Sequence, residues 1–551
     1  MVHGAEDTGA PRVRSGRVRE LVGRTAWRER RGEWRRARNC SRFAVRFLQS
    51  RPFMTAPKYH LTSYGCQMNK LDSELVESKL RQRGYEPAVD EASADVVLLN
   101  TCSVRQHAED RVWSRLGKLR IRKRAEPGLV VGVLGCMAQE HQRFMVARMP
   151  HIDLVVGPSA FGDIDVTVEN ARQKNQELVK VHQATASRSP LAGANIVTAG
   201  IGVSGDTIVR DVKVRPHKSQ AFVSVMRGCN MPCTYCIVPT TRGDEVSRPI
   251  DQIVEEAERL CGDGVTEITL LGQTVNAYGR DLGPGITLAK LLRALHEIPA
   301  LRRLAFITSH PNFLSEDLIA AMAELPKVAR YLHLPVQSGS DRMLKAMRRG
   351  YTRERYLKRV GQLLAKAPDM ELHSDFIVGY PGETEADFEE SASLMRQVGY
   401  AQSYIFQYSP RPGTVAAELV DDVPKAEKER RNQVLLAIQD ELCTQKHNAL
   451  VGTTQEVLVE GESPKDASRL TGRTVHHRIV HFNRPQDGGL DLVGRYVPVR
   501  IEQAMTHSLI GVRLAENEAE HGRGDREEHG DRHAHGDHSH DGARGPRAAA
   551  T

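Results

Sequence analysis

No run in the 551 residues approaches the roughly eighteen apolar positions that a membrane-spanning helix needs, and no short apolar stretch with a small-residue cleavage site follows the basic start. The expectation is a soluble, cytoplasmic protein without a membrane partner. Cysteine is too sparse for a disulfide scaffold: there are nine, of which Cys40, Cys261 and Cys443 are scattered and six fall into two groups of three. That usage fits a reducing compartment and metal binding. Excess positive charge is also missing from most of the chain. The formal charge is +8, yet residues 1–53 hold fourteen Arg, no Lys and five acids, which leaves the remainder about neutral. The basic total is therefore weak evidence for a nucleic-acid partner.

A chain of this length predicts about two to four domains. Residues 1–56 form an Arg-rich extension without hydrophobic periodicity, expected to be disordered or to precede the true start at Met54. Residues 57–190 alternate strand and helix. The strands are Lys58–Ser63, Asp95–Leu99, Leu129–Leu134 and Asp153–Val156; Leu71, Leu75 and Leu80, then Ala108, Val112, Leu116 and Leu119, mark amphipathic helices. This pattern predicts an open α/β domain with a parallel sheet. Residues 191–218, bearing Gly, Ser and Thr, predict a linker.

Six further strands are expected within 219–447: Phe222–Met226, Glu267–Leu271, Leu304–Thr308, Tyr331–Pro335, Ser374–Val378 and Ser403–Gln407. Helical stretches such as Ile250–Leu260 and Leu288–His296 separate them, so a partial, TIM-like (βα)6 barrel is expected, with its chemistry at the strand C-terminal ends. Residues 448–513 turn to short strands without helices, including Gln455–Val459, Thr474–Phe482 and Tyr496–Ile501, and predict a small β-barrel. Residues 514–551, with six His and almost no apolar side chains, predict a disordered tail.

Cys229, Cys233 and Cys236 form a CxxxCxxC motif that chance would produce in roughly one chain in four hundred of this composition. Three soft thiolates on a short loop can hold a 4Fe–4S cube and leave one iron open to a ligand. Structural zinc prefers four closed ligands in paired knuckles, and no second knuckle or nearby His completes this set. A zinc-binding RNA module is the competing reading. The other triad is Cys66, Cys102 and Cys136, each ending a predicted strand and preceding a predicted helix. In a parallel sheet those ends share one edge, so the thiols can converge; three buried apolar cysteines are the alternative. Gly65 and Gly135 beside two of them permit close backbone approach.

Several motifs then resemble the methylthiotransferase family of radical S-adenosylmethionine (SAM) enzymes over about residues 57–513. They are Tyr64-Gly-Cys-Gln-Met-Asn69, Asn100-Thr-Cys-Ser-Val-Arg105, Leu134-Gly-Cys-Met-Ala-Gln139, Arg227-Gly-Cys-Asn-Met-Pro-Cys-Thr-Tyr-Cys-Ile-Val-Pro239, Thr241-Arg-Gly-Asp-Glu-Val-Ser-Arg-Pro249, Leu271-Gly-Gln-Thr-Val-Asn-Ala-Tyr278 and Leu332-His-Leu-Pro-Val-Gln-Ser-Gly-Ser340. Gln67-Met68-Asn69 matches the tRNA-modifying branch, whereas branches acting on a ribosomal protein side chain usually have Lys-Asn there. The resemblance implies two 4Fe–4S clusters, one on each triad, SAM as radical source and methyl donor, and methylthiolation of carbon 2 of N6-isopentenyladenosine at position 37 of tRNA. It further implies Tyr235 near the SAM adenine, Gly272 and Gln273 at its amino-acid end, and Gln337, Ile377 and Gly379 along its remaining wall. The last domain would be a TRAM barrel meeting the tRNA anticodon loop, and the enzyme a monomer served by an external electron donor and sulfur source. Residues 448–513 hold eight Lys plus Arg against seven acids, so charge adds little to that RNA assignment. His476, His477, Phe482 and Tyr496 are candidates for base stacking, with core packing the commoner fate for each. A chain begun at Met54 should retain full activity in assay; an inactive truncation would give the basic extension a role.

Overall fold

Val96-Val97-Leu98-Leu99 and Val130–Leu134 are unbroken apolar runs, the signature of strands covered on both faces. A computed structural model, describing residues 56–103, 106–185, 196–198, 210–485 and 492–515, places them at the centre of a sheet. Its strands are β1 (Lys58–Tyr64), β2 (Glu86–Pro87), β3 (Val96–Thr101), β4 (Val130–Gly135), β5 (Leu154–Val156) and β6 (Ile196–Thr198). They are all parallel, in the order β2-β1-β3-β4-β5-β6. Side chains alternate between faces with period two. Val96, Leu98, Val130 and Leu134 pack with Val76 and Leu80 of α1 (Gln67–Gln82) and Ile164 and Val168 of α4 (Ile164–Thr185). Val97, Leu99, Val131 and Val133 meet Val112, Leu116 and Leu119 of α2 (Gln106–Ala125) and Met145 of α3 (Cys136–Arg148) on the other face.

The sixth strand corrects the expected linker, because Ile196-Val-Thr198 pairs with β5 instead of hanging free. A three-residue strand is too short to show a period against its Gly- and Ser-rich surroundings. The Arg-rich extension, Cys40 and the His-rich tail lie outside the described residues.

Six parallel strands follow, at the positions expected for the barrel: β7 (Gln220–Ser224), β10 (Glu267–Leu271), β11 (Arg303–Phe306), β12 (Tyr331–His333), β13 (Glu371–Val378) and β14 (Gln402–Gln407), with a short antiparallel pair, β8 (Met226–Arg227) and β9 (Val246–Ser247), after the first. They pair as β11-β10-β7 and β12-β13-β14, with a single bridge, Leu304 to Val328, leading from one group toward the other. Helices with one apolar stripe cover the outside. In α6 (Ile250–Gly262), Ile253, Ala257, Leu260 and Cys261 face the core, and in α7 (Leu288–His296) so do Leu288, Leu291, Leu292 and Leu295. Cys261 is thus a packing residue, and Cys443, also buried, hydrogen-bonds the Ala401 carbonyl at 3.1 Å.

A long helix, Lys425–Asn448, leads into a closed five-stranded barrel of β15 (Thr454–Ser463), β16 (Asp466–Arg473), β17 (Ile479–Asn483), β18 (Tyr496–Ala504) and β19 (Leu509–Arg513). Residues 474–478, expected within a strand, form the loop before β17. That loop docks on the first residues of the preceding domain's strands. Arg303 donates to the Arg473 and Thr474 carbonyls at 3.3 and 3.2 Å and pairs with Glu267 at 3.0 Å. Arg330 N–H donates to the Val475 carbonyl at 3.1 Å, and Arg478 pairs with Glu371. His477 stacks on Tyr331 with ring centres 5.0 Å apart, His476 bonds the Asp369 carbonyl, Phe482 lies in the barrel core, and Tyr496 sits under Arg302. Packing within the protein therefore occupies all four base-stacking candidates. No helix of the described residues is long and apolar enough to cross a membrane.

The N-terminal sheet is pinned from inside by a fully buried ion pair. Lys123 Nζ donates to Asp153 Oδ1 at 2.7 Å and to the Leu129 carbonyl at 2.6 Å, while Asp153 accepts the Val131 N–H at 2.7 Å. Removing one member of such a pair leaves a buried charge uncompensated. Lys123→Met should lower stability by about 3–5 kcal/mol, measured by urea denaturation followed at Trp113 on the same helix; a loss below about 1 kcal/mol would place the pair among the weak ones.

Candidate functional site

Parallel register fixes the first triad. Tyr64 of β1 pairs with Thr101 of β3, and Thr101 pairs with Gly135 of β4, so the chains leaving those three strands place Cys66, Cys102 and Cys136 on one edge. Cys66 is the N-cap of α1, and Cys136 opens α3. Two asparagines hold the edge together. Asn69 Oδ1 accepts from the Cys66 N–H and thiol, both at 3.3 Å, while Asn100 Nδ2 donates to the Asn69 carbonyl at 2.9 Å and to Ser73 Oγ at 3.0 Å. The glycines expected to admit a bulky cluster make room for these neighbours. A Cβ on Gly65 would collide with Asn69, and one on Gly135, at φ +92°, with Asn100 and the Thr101 carbonyl.

A hydrogen bond from Cys102 draws the Cys66 thiol below its ordinary value against the effect of burial, with help from the Arg242 charge. Burial pushes the Cys136 thiol up, and Arg242 again opposes it. Arg242 closes α5 (Val238–Arg242), in the domain that carries the other triad, and its guanidinium pairs with Asp72 of α1 at 2.6 Å.

The second triad sits on the loop between β8 and α5. Gly228, at φ +71°, passes so close to the Gly243 and Asp244 carbonyls that no Cβ fits. Cys229 Sγ shares a hydrogen bond with Thr274 Oγ1 at 3.2 Å, and Arg349 Nη1 donates to Cys233 Sγ at 3.3 Å. Burial pushes the Cys236 thiol up to about 12. Thr234 anchors the loop through its N–H to the Met347 carbonyl at 3.2 Å and its hydroxyl to Tyr380 at 2.8 Å.

Neither triad suits tetrahedral zinc. Zinc–sulfur bonds of about 2.3 Å put sulfurs about 3.8 Å apart, yet among the described residues the only group of three ligand side chains within 4.8 Å is Glu109, Glu140 and His141. Neither triad brings all three of its sulfurs within 4.8 Å of one another, and a set of three soft thiolates is the ligand chemistry of an iron–sulfur cluster. The Glu109 group is an ion-pair network: His141 lies 3.4 Å and Arg411, from the loop after β14, 3.6 Å from Glu109.

The SAM-wall candidates divide. Tyr235 takes a hydrogen bond from Arg349 at 3.3 Å and packs with Ile377 against Tyr380. Gln273 Oε1, just past β10, is buried with no protein partner and so is an acceptor for a ligand's donor; a Cβ on neighbouring Gly272 would come within 2.6 Å of Met226 Cγ. Gln337, at φ +76°, spends its backbone on β13, donating to Asp375 and accepting from Ile377, each at 2.9 Å. Gly379 is a turn residue at φ +70° whose N–H goes to Glu383 at 2.5 Å. Sequence reasoning gave no role to Asn69, Asn100, Arg242, Thr274 or Arg349. All but Arg349 lie within the quoted motifs, and that was their only signal.

Comparison with known proteins gives three family matches: the radical SAM superfamily over residues 223–395, "Uncharacterized protein family UPF0004" over 58–157 and the TRAM domain over 448–514. A tRNA-2-methylthio-N(6)-dimethylallyladenosine synthase of Opitutus terrae is 42% identical over 472 residues, covering 82% of this chain and 97% of that protein. Proteins of the same name from Akkermansia muciniphila and Carboxydothermus hydrogenoformans are 41% and 40% identical, covering 83% of this chain and 98% and 100% of theirs. Among solved structures, the radical SAM methyltransferase TsrM of Kitasatospora setae is similar with a TM-score of 0.45 and 13% identity, covering 66% of this chain and 74% of that one. A radical SAM domain of this kind implies a 4Fe–4S cluster and SAM. With its three domains in order and nearly the whole length of its relatives matched, the chain belongs to the tRNA-2-methylthio-N(6)-dimethylallyladenosine synthase family of radical SAM enzymes.

Proposed function

We propose that this chain methylthiolates carbon 2 of N6-isopentenyladenosine at position 37 of tRNA, with one 4Fe–4S cluster on Cys229, Cys233 and Cys236 and a second on Cys66, Cys102 and Cys136. The observation that carries the reading is the end-to-end match to relatives bearing that name, at 42% identity over 97% of the first. When bound, SAM with the radical-domain cluster supplies a 5′-deoxyadenosyl radical, and the N-terminal cluster supplies sulfur. The cofactors bring the chemistry, and the residues of this chain bind, orient and shield them.

Three thiols per cluster leave one iron of each open, which on the radical side is where SAM's amino and carboxylate groups would bind. Arg349 holds Cys233 and Tyr235 in one arrangement through two 3.3 Å contacts, so the cluster loop and the proposed adenine wall keep a fixed spacing. Gln273 offers its free acceptor at the proposed amino-acid end. Both triads lie in a single chain, so a monomer suffices. The tRNA would enter from the cytoplasm with its anticodon loop at the cysteine edge. The TRAM barrel, expected to meet the anticodon loop, docks instead at the strand starts, so it would hold a part of the tRNA farther from the target base. An external electron donor and sulfur source complete the cycle.

Reconstituted anaerobically, the chain should bind about eight irons, falling by about half in Cys233→Ala and by the rest when Cys102→Ala is added. A colourless, zinc-only protein would overturn the cluster assignment. In a strain lacking its own synthase, this gene should restore 2-methylthio-isopentenyladenosine, read by mass spectrometry of tRNA digests. A methylthiolated ribosomal protein with unmodified tRNA would favour the side-chain alternative.

A further inference from the structure

Arg242 lies six residues beyond Cys236, yet its guanidinium is delivered to the other triad. The side chain is 7% exposed and pairs through Nη2 with Asp72 Oδ2 at 2.6 Å; Asp72 is 9% exposed. Asp72 lies on α1, whose N-cap is Cys66, and α5, which Arg242 closes, packs against α3, which Cys136 opens, so the guanidinium charge acts on both thiols. Among the charged groups acting most strongly on Cys66 and Cys136, it is the cation and Asp72 the carboxylate. Beside the radical triad the buried Arg349 is held by Cys233, Tyr235, Tyr351 and the Pro335 carbonyl, with no carboxylate hydrogen-bonded to it among the described residues. The two triads therefore sit beside differently balanced cations: one shared with a carboxylate, one not.

A cluster held by three thiolates is anionic, and each electron added makes it more so. In a buried site this charge is poorly screened, and hydrogen bonds to ligand sulfur and nearby charges set the potential. We propose that Arg242 is the positioning residue of the N-terminal cluster, setting its reduction potential from within the radical SAM domain, with Asp72 holding the guanidinium in place and partly offsetting its charge. The proposal rests on the two-cluster reading above. It assigns the pair opposite signs: the cation makes the cluster easier to reduce, and the carboxylate makes it harder.

The test uses the full chain with Cys229, Cys233 and Cys236 all replaced by Ala, so that only the N-terminal cluster remains. Iron and sulfide are counted, and the potential is measured by a titration followed by electron paramagnetic resonance. Arg242→Gln should lower the reduced-to-oxidised ratio at fixed poise about tenfold, which is about 59 mV for a one-electron couple. Arg242→Lys should recover most of that shift, and Asp72→Asn should move the potential the other way. A parent without iron removes the two-cluster reading and the proposal with it. A parent with about four irons and an unchanged potential in Arg242→Gln removes the proposal alone. If Arg242→Gln loses its cluster, the sign in Asp72→Asn decides: a raised potential supports the assignment, and a lowered or unmoved one overturns it.

Discussion

Parallel strands all finish on the same side of a sheet, and this polarity is the constraint on which the molecule depends. In the N-terminal domain it turns three cysteines separated by 36 and 34 residues into one edge, because Tyr64, Thr101 and Gly135 are in register. In the second domain it sends the CxxxCxxC loop, Thr274 and the turn at Gly379 to the strand ends, where open α/β folds leave room for ligands. The closed C-terminal barrel, antiparallel in four of its five pairings, has no such shared edge and supplies no cysteine.

The seam between the first two domains is built from arginines of the later segments meeting acids of the first. Arg210 pairs with Glu74, Arg242 with Asp72 and Arg411 with Glu109, all largely buried. Such pairs lose hydration on burial and stabilise little compared with apolar contacts, but they tolerate few alternative alignments. The domains are thereby held in one orientation. Burial raises the Glu74 carboxyl to about 7 despite Arg210, so this part of the seam would be sensitive to neutral pH. The sign follows from the shift: a carboxyl raised in the folded state favours folding less as pH rises past its unfolded value toward 7.

The elements that carry the two cysteine triads were legible because strands and helices of this kind declare themselves by period. All six barrel strands and the four main N-terminal strands were expected within a few residues, and the six cysteines stood out by spacing or strand-end context. Residues whose role is a contact across domains did not. Nothing about Arg242 in its evenly charged motif says that it pairs with Asp72 of another domain, and Asn69 and Asn100 declare nothing until α1 is packed against β3. The three-residue β6 was hidden for the opposite reason, since its pairing is wholly non-local. The 474–478 loop looked like a strand because its residues pack on a neighbouring domain.

The docking of that loop sets a length scale. Arg478 grips Glu371 at the start of β13, and the same strand ends at Val378, seven residues on, beside the turn at Gly379. At about 3.3 Å per residue the two ends are roughly 23 Å apart. A ligand touching both the barrel and the cysteine edge must bridge at least that span, so the rigid strand acts as a ruler, admitting partners by the distance between two of their parts as much as by the identity of either.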